Sequence, residues 1–277
     1  GRAAAARNAL LHQFSLTQVR PIGYVTAAGR RIEAEYIAGS SDRPVLVLLH
    51  EGLGSAGMWK SVPADLARLT GCGVLAYSRY GNGFSQTLDG ARAVSYMHDE
   101  ALEALPDMLD AFDIRSAVLA GQSDGASIAL IYAGEIGARL RGVIAEAPHV
   151  FVEDVSVQSI AQAKTAYEST DLRKRLERYH QDVDRTFYGW NDIWLHPQFR
   201  SWNIGESVRK IRVPLLLIQG VDDEYGTLAQ LDAIRSDAQQ ARVDTLYLAE
   251  CGHAPHRDRP DAVLPAIAAF VNDAASE

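Results

Sequence analysis

Apolar residues gather along this chain in six short runs, at residues 44–49, 73–77, 117–120, 142–145, 213–218 and 243–248. Runs of this kind, with little polar alternation, predict strands covered by helices on both faces. Between them lie stretches of helical character at residues 63–69, 99–112, 124–136, 228–236 and 261–270, the first with Ser61 ahead of it and Pro63 in its opening turn. The beginning of the chain has a different pattern. Residues 19–26 and 31–37 are rich in β-branched and aromatic positions and flank Ala28-Gly29-Arg30, which predicts an antiparallel hairpin. From there strand alternates with helix. The predicted fold class is α/β: a mostly parallel twisted sheet flanked by helices on both faces, with right-handed crossovers. Ligands in such sheets sit at the carboxyl ends of the strands, so chemistry is expected in the loops that follow strands.

One interval breaks the alternation. Residues 148–207 contain no strand-like run, a charged helical stretch at 171–178, and a concentration of aromatics that includes Tyr188, Trp190, Trp194 and Trp202. A structureless loop of that length does not fit a compact domain. The segment is therefore predicted as an inserted helical subdomain, with residues 1–147 and 208–277 forming one core. No internal repeat is present.

Bulk properties narrow the function. A 277-residue chain with 47% hydrophobic residues can bury one large core, and its net charge of -8 offers no footprint for a phosphate backbone, which excludes nucleic acid as a partner. The longest uninterrupted apolar run is residues 45–49, far short of the ~20 residues of a membrane-spanning helix. Cys72 and Cys251 form no CxxC pair, and a chain of this size needs no stapling, so a reducing, cytoplasmic setting is expected. Residues 1–7 carry two arginines among small residues with no apolar stretch behind them, and read as a frayed helical arm rather than a secretory signal.

The most informative segment is Gly121-Gln122-Ser123-Asp124-Gly125, between the apolar run at 117–120 and the helix former at 126–133. Strand, G-x-S-x-G, helix is the context in which a serine is presented at a sharp corner as a nucleophile. The glycines belong there because side chains would clash with the adjoining strand and helix. A hydroxyl needs a base within hydrogen-bond reach and a carboxylate to orient that base. His253 follows the run at 243–248, and Asp222-Asp223-Glu224 follows the run at 213–218, giving the chain order serine, acid, histidine. The eight histidines include His256 close by, but Pro255 intervenes and no Cys or carboxylate ligand pattern supports it, so no metal site is predicted.

These residues resemble the α/β-hydrolase family over nearly the whole chain, including Ser78-Arg79-Tyr80-Gly81-Asn82-Gly83-Phe84-Ser85, which looks like that family's loop after its fourth strand. The resemblance implies that the acid is Asp223, three residues after Gly220, with Asp222 and Glu146 as alternatives for the same role. It implies an oxyanion hole made by the backbone N–H of Asp124 and one from His50-Glu51-Gly52-Leu53-Gly54-Ser55, with Gly52 as the donor and Leu53 as the register-shifted option. Glu51 stands where the family carries glycine, and a carboxylate there repels an oxyanion unless it is turned away, protonated or paired. The carboxylate of Asp124 also suits the start of a helix on dipole grounds alone. The resemblance further implies that residues 148–207 are a cap over the serine, with Tyr188, Trp190 and Trp194 beside Glu51 and His50 as pocket candidates. Most of the cap aromatics are expected simply to pack it onto the core.

Gly52-Leu53-Gly54-Ser55-Ala56-Gly57 also spells G-x-G-x-x-G after a buried strand, a dinucleotide-binding pattern. That pattern needs its helix to begin within the glycines, yet the helix is expected at Pro63, and the next strand ends in Tyr77-Ser78-Arg79 without an acid for a ribose. An NAD-binding oxidoreductase is therefore disfavoured, and no cofactor is expected. The function predicted is a serine hydrolase that cleaves a small apolar or aromatic ester or lactone through an acyl-enzyme. The alternatives are carbon–carbon bond hydrolysis of ring-fission dienoates on the same residues, and a non-catalytic small-molecule receptor on this fold.

Overall fold

A computed structural model describes residues 22–276 of the chain. The opening hairpin forms from β1 (Ile22–Ala27) and β2 (Arg30–Ile37), paired antiparallel around Ala28 and Gly29, whose φ values of 47° and 69° make the tight turn that a two-residue hairpin needs. Residues 19–21 of the expected first strand, and the expected arm at 1–7, lie outside the described residues. Six further strands follow: β3 (Val45–Leu49), β4 (Val74–Tyr77), β5 (Ala117–Gln122), β6 (Leu140–Glu146), β7 (Leu215–Gly220) and β8 (Val243–Leu248). They join one sheet in the order β1-β2-β4-β3-β5-β6-β7-β8, antiparallel at β1/β2 and β2/β4 and parallel from β4 onward.

The chain runs outward from β3 to β4 and then returns to place β5 on the other side of β3, so strand order reverses at β3. In an open α/β sheet that reversal leaves a crevice at the strand ends. The loops after β3 and β5 carry residues 50–54 and Ser123, and both open there.

Side chains of the central strands feed two cores. Val47 and Leu49 of β3 pack on one face, Leu46 and Leu48 on the other, and all four are buried. β8 departs from the expectation of a strand covered on both faces. It is one edge of the described sheet: Val243, Thr245 and Leu246 are half-buried, Asp244 and Tyr247 exposed and Leu248 buried, and the polar positions Asp244 and Thr245 mark that status.

Helix α1 (Val62–Thr70) ends on Gly71 in the left-handed conformation. The helix expected at 99–112 starts earlier, as α2 (Tyr96–Asp99), widens through a π turn (Glu100–Ala104) and continues as α3 (Leu105–Ala111). Pro106 has no N–H to give the ladder, which accounts for the local widening before it. α4 (Asp124–Glu135) is buried from Asp124 to Ala133, as an almost wholly apolar helix should be.

Between β6 and β7 lies the inserted helical region: α5 (Asp154–Ser169), α6 (Leu172–Glu177), α7 (Val183–Trp194), a 3-10 turn (Pro197–Ser201) and α8 (Gly205–Arg209). Asp182 caps α7 by accepting from Arg185 N at 3.0 Å, and its buried face carries Val183, Thr186, Phe187, Trp190 and Trp194 at helical spacing. The core resumes with α9 (Ala229–Asp237), α10 (Pro255–Asp258) and α11 (Pro260–Ser276), the last running past the expected 261–270. Cys72 and Cys251 are separate buried thiols. Among the described residues no helix is long and apolar enough to cross a membrane.

Candidate active site

Ser123 occupies the corner between β5 and α4 with φ 53° and ψ −119°, a conformation that an L-residue adopts only under constraint. The flanking glycines supply the constraint. A Cβ at Gly121 would lie 2.2 Å from Gly125 O, and one at Gly125 would lie 2.0 Å from Leu49 O, so both contacts are with backbone that cannot turn aside. Ser123 N–H donates to Glu146 O at 2.9 Å, tying the corner to β6.

The serine is joined to the two groups expected of it. His253 Nε2 lies 2.8 Å from Ser123 Oγ, and His253 Nδ1 lies 2.8 and 3.0 Å from the oxygens of Asp223. Asp223 is fixed in turn by Tyr225 N–H (2.8 Å), Gly226 N–H (3.2 Å) and the Gln219 amide (2.7 Å). The Gln122 amide donates to His253 O at 2.7 Å, so the residue before the serine also anchors the histidine loop. With a carboxylate on Nδ1, the neutral ring carries its proton there and turns its Nε2 lone pair to the hydroxyl, the arrangement in which it accepts the serine proton. Burial works against charging His253, but the hydrogen bond and charge of Asp223, with Glu224 and Glu51 adding to them, outweigh it and raise its pKa above 6.5. For Asp223 burial is likewise outweighed, by the His253 hydrogen bond and charge first, and its pKa falls below the ordinary carboxylate value.

Neither alternative acid reaches His253. Glu146 accepts instead from His256 N–H (3.0 Å) and His256 Nδ1 (2.9 Å), and Asp222 is exposed, with its N–H donated to Cys251 O. His256 thus orients on Glu146 and against the Trp59 ring, 4.7 Å between centroids.

The loop after β3 is clamped by its carbonyls. Arg79 donates to His50 O and Glu51 O, His50 Nδ1 to Glu51 O, Asn82 to Gly52 O and Gly54 O, and His180 Nε2 to Leu53 O. His180 Nδ1 accepts from Gly83 N–H at 2.9 Å, so a histidine of the inserted region joins both loops as a neutral ring, and burial pulls its pKa to about 4. His50 is buried and equally committed, accepting from Arg79 N–H at its Nε2. Glu51 folds back so that its Oε2 accepts from Leu53 N–H at 2.6 Å. The register-shifted donor Leu53 is thereby spent, whereas the N–H groups of Gly52 and Asp124 donate to no acceptor among the described residues. Burial first, and the Asp124 charge after it, raise the Glu51 pKa above the ordinary carboxylate value, against the Leu53 N–H bond that lowers it. The Asp124 carboxylate is engaged by Tyr96 OH (2.6 Å) and Trp194 Nε1 (3.2 Å), which goes beyond the helix-start role expected of it.

A cavity of about 550 Å³ opens over Ser123, with His50, Glu51, Trp190 and Trp194 in its walls. Trp190 packs so closely that a Cβ on Gly52 would lie 2.2 Å from its ring, which is why that position is glycine and why the G-x-G-x-x-G spelling needs no dinucleotide. A 3-10 turn (Ala56–Trp59) takes in the last of those glycines, Gly57, and the helix α1 begins only at Val62. Tyr188 does not reach the cavity. It is half-buried on another side of the helix, with its OH donating to Glu168 at 3.2 Å and its ring edge-on to Tyr167 and Phe187. Residues that the sequence did not single out also line the cavity: His149, Ile160, Leu176, Tyr179 and Tyr225. His149 had a signal, since it follows β6 as His253 follows β8. Among the described residues no group of His, Cys, Asp and Glu is arranged to hold a metal ion.

The model for the Alpha/beta hydrolase family matches residues 46–266 of the chain. The 2-succinyl-6-hydroxy-2,4-cyclohexadiene-1-carboxylate synthase of Klebsiella pneumoniae is 29% identical over 189 residues, 58% of this chain and 70% of that protein. Among solved structures, a 2-hydroxy-6-oxo-6-phenylhexa-2,4-dienoate hydrolase from Rhodococcus sp. has a TM-score of 0.74 at 17% identity, covering 90% of this chain and 99% of its own. An enol-lactonase from Burkholderia xenovorans has a TM-score of 0.70 at 20% identity, with 90% and 99% covered. At such identities these structures share the fold.

Proposed function

Because the chain belongs to the alpha/beta hydrolase family and is an enzyme of that hydrolase type, we propose that Ser123 is its nucleophile and that it cleaves a bond beside a carbonyl in a small apolar or aromatic substrate. The observation that carries this is the unbroken hydrogen-bonded chain from Ser123 Oγ through His253 to Asp223, at 2.8 Å for each link. In this mechanism Ser123 Oγ attacks the carbonyl carbon as its proton passes to His253 Nε2, and Asp223 stabilises the imidazolium. The N–H groups of Gly52 and Asp124 hold the oxyanion. Collapse expels the leaving group, which takes the proton from His253, and water activated by the same ring then frees the acyl group. Residues 148–207 act as the cap, bringing Trp190 and Trp194 against the substrate's apolar body.

The names of relatives bear on the bond broken. A dienoate hydrolase at a TM-score of 0.74 and an enol-lactonase at 0.70 support an acyl group whose leaving fragment is an enol or dienol, by carbon–carbon or by ester cleavage, ahead of a simple alkyl ester. The deciding experiment is a panel of short aryl esters, lactones and ring-fission dienoates, run with a serine-directed phosphonate. The expected result is turnover in at least one class and labelling at Ser123, with both abolished in Ser123→Ala, a loss of at least about a thousand-fold. A folded protein that is not labelled at Ser123 overturns the nucleophile. Turnover confined to dienoates or to esters separates the two bonds.

A further inference from the structure

Of the histidines that line the cavity over Ser123, the mechanism above uses His253 and leaves His149 without a task. His149 is only 2% exposed, lines the cavity with Ser123 and His253, and has its ring centroid 5.6 Å from that of His253 and 5.1 Å from that of Trp194. Its backbone is pinned to α4: His149 O accepts from Ser127 Oγ at 2.6 Å, and His149 N–H donates to the same oxygen at 3.3 Å. Trp194 meets the ring nearly edge-on, at 68° between planes, so the imidazole is aimed as well as placed.

Nothing among the described residues uses that aim. No hydrogen bond among the described residues engages either ring nitrogen, and Nδ1 is sealed away from solvent without a partner. The Nδ1–Cε1 edge faces Gly226, where an added Cβ would lie 3.3 Å from Cε1 and 3.6 Å from Nδ1. Nε2 is the nitrogen left on the cavity side. A buried polar side chain fixed this firmly and left unmatched calls for an explanation, and a site for a ligand atom is one.

Its protonation follows from its surroundings. Burial, with the nearby His253 adding to it, lowers the His149 pKa to about 3, although Asp223 pulls the other way. The ring is therefore neutral wherever His253 can act as a base, and it carries a single proton. On Nδ1 that proton would be a buried N–H with no acceptor, the rarest kind of orphan in folded proteins. On Nε2 it points into the cavity.

We propose that His149 is a specificity-determining hydrogen-bond donor, whose Nε2–H takes an acceptor oxygen of the substrate, such as a keto, enolate or carboxylate oxygen a few bonds from the scissile carbonyl. The proposal rests on the serine hydrolase reading above and deepens it, because it selects substrates that bear a second oxygen function over plain hydrocarbon acyl groups. A site built to donate to an oxygen discriminates against an analogue without it far more strongly than an apolar wall does.

The test uses two ester pairs that try the oxygen on either side of the scissile bond: p-nitrophenyl pentanoate against p-nitrophenyl 4-oxopentanoate, and pentyl benzoate against 4-oxopentyl benzoate. Each is measured with wild type and with His149→Gln, His149→Asn and His149→Leu. The Gln amide nitrogen stands near the place of Nε2, and the Asn amide near that of Nδ1. Wild type is expected to favour one oxo ester over its parent by at least about ten-fold in kcat/KM. Gln should keep most of that preference, while Asn and Leu reduce it to near one. Should Leu fail to fold, the contrast of Gln with Asn decides. Long-range 1H–15N spectra of histidine-labelled protein should show His149 as the neutral Nε2–H tautomer from pH 5 to pH 8, about two units or more above its lowered pKa of about 3. An Nδ1–H tautomer, no oxo preference in wild type, or the same preference in Leu as in wild type overturns the proposal. If wild type hydrolyses no ester and Ser123 resists the phosphonate, the nucleophile reading fails instead, and the tautomer alone decides the fate of His149.

Discussion

On the core side of the cavity, Ser123, His253, Asp223 and the loop at residues 50–54 are held by hydrogen bonds and by backbone contacts that admit no side chain. On the cap side Ile160, Leu176, Tyr179 and Trp190 meet the cavity through apolar and ring surface, while Trp194 also donates from its Nε1 to Asp124. Geometry on the first side is over-determined, since a displaced partner breaks a hydrogen bond or forces a clash. Apart from Trp194, surface on the second side is exchangeable, since another apolar residue can fill the same space at modest cost. On the proposed function, chemistry and selectivity are thus entrusted to materials of different tolerance.

Substitutions on the two sides should therefore differ in kind. The largest effect is expected for Asp223→Asn, which removes the charge that helps to raise the His253 pKa and permits the wrong tautomer. kcat/KM should fall about a thousand-fold or more while the fold survives. In wild type the base must be neutral, so kcat/KM should rise with pH through a His253 pKa above 6.5, and in the Asn variant that limb should move to lower pH. A pH profile identical in the two proteins would remove Asp223 from its place. Next comes Gly125→Ala, whose new methyl group would lie 2.0 Å from Leu49 O. A loss of at least about 3 kcal/mol in denaturant unfolding, or failure to accumulate folded protein, is expected. An alanine variant of full stability would show that the corner can relax. The smallest effect belongs to the cap. Trp190→Ala should raise KM for an aromatic substrate about ten-fold and change kcat little. Tyr188→Ala, on the same helix but away from the cavity, should leave KM unaltered, and equal effects of the two would erase the distinction between the wall and the rest of the helix.

Much of the core side was legible in the sequence because local sterics dictate it. Gly121 and Gly125 around Ser123 can be read without knowing any distant neighbour, and His253 stands just past a strand end. Asp223 needed the family resemblance, since Asp222 and Glu224 are chemically equivalent until the turn places Tyr225 N–H and Gly226 N–H on Asp223 Oδ1. The cap was legible as an insertion but not as a surface. Tyr188 and Trp190 are two positions apart, roughly 200° around a helix, so they cannot share a face, while Trp190 and Trp194 can. Helix phase therefore separates them once the limits of α7 are known. Least legible was what Glu51 does. Its carboxylate closes on Leu53 N–H within a loop whose carbonyls are held by Arg79, Asn82 and His180, all distant in sequence. No window of sequence contains that set.

His180 belongs by position to the inserted helices, yet its two ring bonds, to Leu53 O and from Gly83 N–H, hold loops of the core. A chimera that exchanged residues 148–207 for another protein's lid would remove that splint along with the pocket wall. On the proposed function, such a graft is expected to alter turnover as well as substrate range unless a neutral histidine is carried across at the equivalent point. For anyone redesigning this protein, interchangeable and fixed parts are therefore interleaved within the inserted segment, where His180, Gln181 and Thr186 all bond to loops of the core, and the division does not fall at its ends.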